Sequence, residues 1–188
     1  MNSPPFFEDF KKGQDLSHVP AVTVTEGMTA LYQGMFGDRS CVYLDQRLSE
    51  RYTGSDRMLV NPLLVGHIAI GQSTIPSQRV LGNLFYEGLM SRQPVHVGDT
   101  LSTTTRVVGL KQNKQKPGRA STGMVVLEIS VVNQTNDPVL HFWRCPMIPC
   151  EDPSAETGHD DDLSEETLEL SKETIIDAAR FWDQPHFR

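Results

Sequence analysis

A chain of 188 residues that is 38% hydrophobic and 22% charged can bury one sizeable core, and it holds no apolar run long enough to span a bilayer. Its net charge of −7 is unevenly spread: from Glu151 onward there are 12 acidic and 3 basic residues, whereas the first 150 residues hold 12 acidic and 14 basic. So neutral a body lacks the basic footprint of a nucleic-acid binder, although a few local cations could still meet a polyphosphate. The opening MNSPPFFEDFKKG lacks the basic-then-apolar build of a secretory signal, so a cytoplasmic location is expected. Cys41, Cys145 and Cys150 match neither a zinc spacing nor a disulfide framework and read as reduced thiols, with no metal site expected.

After an entry loop, VPAVTVT (19–25) has the β-branched alternation of a strand. Thr25 then opens a helix, EGMTALYQGMF, with Met28, Leu31, Tyr32, Met35 and Phe36 on one face and Gly37 to end it. Asp38 to Leu59 reads as loop-rich. Asn61-Pro62 is an N-cap followed by proline at the first helical position, and the helix PLLVGHIAIGQST is apolar on nearly every side, which predicts burial all round. Gly66 and Gly71 would let another backbone approach it closely, and Pro76 closes it.

Four β-rich segments follow: VLGNLFYEGLMSRQPV, TLSTTTRVVGLKQN, TGMVVLEISVVNQ and PVLHFWRCPMI, separated by the turn-like VGD, KQKPGRAS and TND. One buried helix followed by long antiparallel strands predicts an α+β architecture in which a curved sheet wraps the helix. Residues 1–150 read as this domain and residues 151–188 as an acidic linker with a C-terminal helix. That helix is amphipathic, with Ser164 at its start and Leu168, Ile175, Ala179 and Trp182 along one stripe. It would dock on its own domain or bind another chain.

FGDRSCVYLD (36–45) is similar to the G-D-x-N-P-x-H-x-D signature of the MaoC family: Gly37, Asp38 and Asp45 match, while Ser40, Cys41 and Tyr43 stand for Asn, Pro and His. FFEDFKKGQ, VTEGMTALYQGMFGDR, LLVGHIAIGQSTIP, VGDTLSTTTRVVGLKQNK and TGMVVLEISVVNQ occur in the order and spacing of mesaconyl-CoA hydratases. Over residues 6 to 153 the chain resembles the first half of those enzymes. The resemblance implies a hot-dog fold, an acyl-CoA thioester substrate and a hydratase/dehydratase activity with no cofactor. The relatives resemble two fused hot-dog units, and this chain stops where the second would begin. Pairing is therefore expected with a second copy or, given Tyr43 in place of histidine, with a separate MaoC-like subunit. A non-catalytic acyl-CoA-binding subunit and a hot-dog thioesterase are the alternatives.

Hydration of an enoyl thioester needs a base for water, an acid for Cα and dipoles for the charge developing on the thioester oxygen. The N-terminus of the apolar helix, at Asn61, Leu63 and Leu64, would offer free N–H groups and a positive dipole end. Asp38 and His67 are the acid–base candidates; their structural alternatives are a turn or cap residue and a hydrogen-bonded core histidine. Tyr43 could donate a hydrogen bond to substrate. Arg39 would clamp a substrate carboxylate or form a surface ion pair. Lys111, Lys114, Lys116 and Arg119 could meet CoA phosphates at the cleft mouth, or simply solvate a hairpin. Phe142 and Trp143 read as sheet packing, and Gly98-Asp99-Thr100 as a tight turn.

Overall fold

The computed structural model describes residues 3–17, 19–163 and 171–179. Four long strands follow two short helices and a central one. Helix α1 spans Glu26–Phe36, α2 Gln46–Thr53 and α3 Pro62–Gln72; β2 spans Gly82–Ser91, β3 Thr100–Gln112, β4 Thr122–Val132 and β5 Pro138–Pro149. Strand β1 is only Val22–Thr23, much shorter than the 19–25 strand expected, and a C-terminal helix α4 covers Lys172–Ala179. The sheet is antiparallel, in the order β1-β3-β4-β5-β2. No helix among the described residues is long and apolar enough to cross a membrane.

Alternation along β4 and β5 sends side chains to two faces. Leu127, Ile129 and Phe142 join Leu64, Val65 and Ala69 of α3 in the main core, while Val126, Trp143 and Cys145 form a smaller cluster on the opposite face. Phe142 and Trp143 are sheet packing, as expected. At the C-terminal end of α3, the buried guanidinium of Arg144 donates to the carbonyl of Ser73 and to Ser77 Oγ, placing a cation where the helix dipole is negative. Burial pushes the Cys145 thiol up to about 12 and that of Cys150 up to about 11, so neither is a thiolate nucleophile at neutral pH.

Three expectations are corrected. The 38–59 segment contains α2, because Asp45 Oδ1 accepts from the N–H groups of Arg47 and Leu48 and Gly54 closes the helix at φ 71°. Helix α3 is not buried all round: Leu63 is 62% exposed and His67 is exposed too, one turn apart. Nor do Gly66 and Gly71 admit a close neighbour, since a Cβ at either would meet nothing within 4 Å.

The acidic stretch after Glu151 is no loose linker either. Residues 151–163 run back along β3: Gln112 N–H donates to His159 O (2.8 Å), Asp161 N–H to Leu110 O (3.1 Å), and Leu110 N–H to Asp161 Oδ2 (2.9 Å). Upstream, Glu8 accepts the N–H groups of Glu151 and Asp152, and Phe7 lies so close against Gly123 that a Cβ there would collide with its ring. Leu163 then reaches the Trp143 cluster. Within α4, Ile175 and Ile176 are 47% and 46% exposed; Ser164, Leu168 and Trp182 lie outside the described residues.

Candidate functional site

Gly37 takes the left-handed conformation (φ 60°) that ends α1 and turns Asp38 back towards the start of α3. There Asp38 Oδ2 accepts from Asn61 Nδ2 at 2.5 Å, and Oδ1 accepts from Ser40 N–H at 2.9 Å. Asn61 is the N-cap of α3, its Oδ1 accepting from Leu63 N–H at 2.8 Å. One amide side chain therefore holds the helix N-terminus with its oxygen and the carboxylate with its nitrogen. The sequence suggests a binding role for Asn61, but the link to Asp38 joins residues 23 apart and has no local signature.

That cap overturns the expected free N–H groups. Pro62 has none, Leu63 donates to Asn61 Oδ1, and Leu64 and Val65 donate to Asn61 O at 3.0 and 3.3 Å. The dipole remains; the donors of the first turn are occupied within the chain.

Around Asp38 stand two tyrosines. Burial first, and the negative charge of Asp38 second, push the Tyr32 and Tyr43 hydroxyls above the ordinary value of 10, so both stay protonated donors at neutral pH. Gln33 Nε2 donates to the carbonyl of Tyr43, fixing the short 3-10 turn Cys41–Tyr43 against α1. Tyr32, which carried no expected role, stacks on Phe36 with ring centroids 4.5 Å apart. His67 lies 5.7 Å from the Tyr32 ring and 5.6 Å from that of Phe36, exposed rather than in the core. Arg39 is exposed. Asp45, the last match to the signature, is spent on capping α2.

Beside this cluster is a cavity of about 180 Å³, lined by Leu63, His67 and Ile70 of α3, Leu89 and Ser91 of β2, and Leu140 of β5. His67 and Ser91 are the polar groups on a largely apolar wall. At roughly 30 Å³ per water it holds about six water volumes, the scale of a short acyl group.

The basic residues sit elsewhere. A second cleft of about 680 Å³ is walled by Lys114, Lys116 and Arg119 at the β3–β4 turn and floored by Leu81, Leu84, Met147 and Pro149. The turn itself is fixed by Gly118 (φ 74°) and a bond from Arg119 N–H to Lys116 O. Lys111 is not part of this cleft: its ammonium is 3.0 Å from Asp160 and also donates to Asp161 O, so its expected phosphate contact is taken by the acidic strap. The two cavities share no lining residue. Their nearest lining residues are Leu84 and Leu89 on β2, five residues or about 16 Å along the strand, and Met147 and Leu140 on β5, seven residues or about 23 Å. Within one chain, Asp38 and His67 therefore do not share a cleft with Lys114 and Arg119.

Elsewhere, Asp99 is a structural junction rather than a bare turn residue. Burial pushes its carboxyl up, but the His96 N–H, Arg57 and Gln134 bonds and the Arg57 charge outweigh that and leave it below the ordinary value.

No family model matches the chain. It is 39% identical over 152 residues to the β-methylmalyl-CoA dehydratase of Chloroflexus aurantiacus, covering 80% of this chain and 42% of that one. Against the mesaconyl-CoA hydratase of Cereibacter sphaeroides the identity is 30% over 156 residues, covering 82% and 44%. A solved Mycobacterium tuberculosis structure with a double hotdog fold superposes with a TM-score of 0.83 at 43% identity, covering 89% of this chain and 51% of that one. The chain thus spans about half the length of the relatives it matches. With its central helix and five-stranded antiparallel sheet, it is a hot-dog unit related to the MaoC-like acyl-CoA hydratases and dehydratases.

Proposed function

We propose that the chain is one unit of a paired hot-dog hydratase/dehydratase acting on a short, mesaconyl-like acyl-CoA, with a separate MaoC-like subunit supplying most of the acid–base chemistry. In the hydration direction, water oxygen bonds to Cβ as a base takes its proton, and an acid delivers a proton to Cα; dehydration is the reverse. The double role of Asn61 carries this reading. Its oxygen occupies the α3 N-terminus, so the first-turn N–H groups are not free for a thioester oxygen, and its nitrogen holds Asp38 in place. Tyr43, at the signature's histidine position, is a protonated donor and a poor base.

The unit still offers a small acyl cavity with His67 and Ser91 on its wall. A second unit would seat on β2, the open edge of the sheet, where Leu84, Tyr86 and Leu89 are 48%, 43% and 47% exposed. Relatives of about twice the matched length, one of them a double hot-dog, support a second unit.

The test is turnover by the purified chain. Incubated alone with mesaconyl-CoA, it is expected to consume little of the enoyl-thioester absorbance. Robust hydration by the chain alone, abolished by Asp38→Asn, would sink the division of labour and make the unit self-sufficient.

A further inference from the structure

We infer that His67 is a specificity residue: its imidazole donates to the far carboxylate of a dicarboxylic acyl group with a four-carbon main chain, seated in the cavity beside α3. The inference rests on the acyl-CoA reading above and adds which side chain selects the acyl group, and by what chemistry.

The cavity wall decides the donor. No Lys, Arg, Asp or Glu stands among its described lining residues, and Arg39, the clamp expected from sequence, is exposed and off the wall. Leu63, Ile70, Leu89 and Leu140 make the wall apolar, so a carboxylate entering it loses water and needs a donor in exchange. Of the two polar side chains, Ser91 has its proton engaged: its Oγ donates to Gln93 O at 3.2 Å and is left to accept. His67 is different. Among the described residues its ring meets Tyr32 and Phe36, and neither ring nitrogen has a hydrogen-bond partner. An imidazole carries at least one N–H whether neutral or charged, so it can donate to a carboxylate in either state. The Tyr32 and Phe36 rings, 5.7 and 5.6 Å away, hold it at its place on the wall.

Helix α3 supplies the ruler. Asn61 ties Asp38 to its first turn, so the reacting end of the acyl chain belongs at that N-terminus, where the helix dipole is positive. Leu63 and His67 both line the cavity and lie one turn apart, about 6 Å along the axis. Three carbon–carbon bonds of ~1.5 Å carry an acyl chain roughly 4 Å from its thioester carbon to its fourth carbon, and a hydrogen bond of ~2.8 Å completes the turn. The far carboxylate of a four-carbon chain therefore arrives at His67. A longer chain overshoots it, and a monocarboxylic chain leaves the imidazole N–H facing a methyl group, unpaired.

Succinyl-CoA and butyryl-CoA, titrated calorimetrically into the purified full-length chain, are the probes. They share a four-carbon main chain, differ in the far carboxylate, and are saturated, so neither takes up water. The parent should bind succinyl-CoA about tenfold or more tighter than butyryl-CoA. In His67→Ala, its fold checked by circular dichroism, the preference should vanish while butyryl-CoA affinity stays within about twofold. His67→Gln, which keeps a side-chain N–H, should regain part of it. Equal affinity for the two esters in the parent, a preference that survives His67→Ala, an equal loss for both esters in that variant, or failure of both to bind overturns the inference. Glutaryl-CoA, one carbon longer, should lose most of the preference, and binding as tight as that of succinyl-CoA defeats the four-carbon ruler. None of these measurements needs turnover. A chain that hydrates nothing can still show the preference, and one that hydrates mesaconyl-CoA can lack it, so the two readings fail separately.

Discussion

The sheet has two sides, the outer side of β3 and that of β2, and the chain treats them in opposite ways. Along β3, three segments of the chain take up the outward backbone groups: β1 pairs at Thr100 and Leu101, residues 13–16 bond to Thr105 and Val107, and the acidic strap bonds to Leu110 and Gln112. Along the outer side of β2 no strand is paired among the described residues, and Leu84, Tyr86 and Leu89 are left nearly half exposed. An open, apolar edge is a template for another strand, and folded proteins otherwise cover or charge such edges. The difference teaches where a second unit belongs: the closed edge is completed from within, and the open one is left for a partner.

Breaking the closed edge should have the largest effect. Phe7 is fully buried, seated on Gly123 and edge-on to His159 at 5.7 Å, so it joins the N-terminal turn and the strap to β4. Phe7→Ala is expected to cost about 3–5 kcal/mol of folding stability, read from urea midpoints. A loss below about 1 kcal/mol would mean that the clasp does not stabilise the edge.

The open edge should respond in the other way. Leu84→Asp with Leu89→Asp removes two half-exposed anchors and adds two charges, which should weaken pairing by about 2–3 kcal/mol, roughly 30- to 150-fold in Kd. Sedimentation against protein and partner concentration reads that change, while the urea midpoint of the unpaired chain should hardly move. If the variant pairs as tightly as the parent, the partner uses some other surface.

How much of this contrast the sequence discloses depends on the range of each contact. The strands of β2 to β5 and the helix opened by Asn61-Pro62 follow from alternation and capping, which are local. Helix α2 is equally local, with Asp45 and Gly54 eight residues of helix apart, but its polar surface offers no apolar stripe to notice. The strap escapes for a different reason: an acidic, proline-containing stretch has the composition of a linker, and only its register against β3 shows that Asp161 satisfies a backbone N–H. In the candidate site, Asp38, His67 and Asn61 are legible one by one. The occupation of the α3 donors by Asn61, and the stretch of strand that separates the His67 cavity from the Arg119 cleft, are properties of the folded chain.

The smallest effect expected is also the sharpest on function. Lys111 belongs by sequence to the run that includes Lys114, Lys116 and Arg119, but by structure to the closed edge, paired with Asp160 whose side chain is 84% exposed. A pair so open to solvent contributes between 0 and about 1 kcal/mol, so Lys111→Ala should barely shift the urea midpoint. If the run acted as one phosphate patch, the same substitution would weaken coenzyme A binding as Lys114→Ala does. Because the strap already holds the Lys111 ammonium, calorimetry should instead find coenzyme A affinity unchanged in Lys111→Ala and reduced in Lys114→Ala. Equal losses in the two variants would show that the strap releases Lys111 when the nucleotide arrives, and the closed edge would then be part of the binding site.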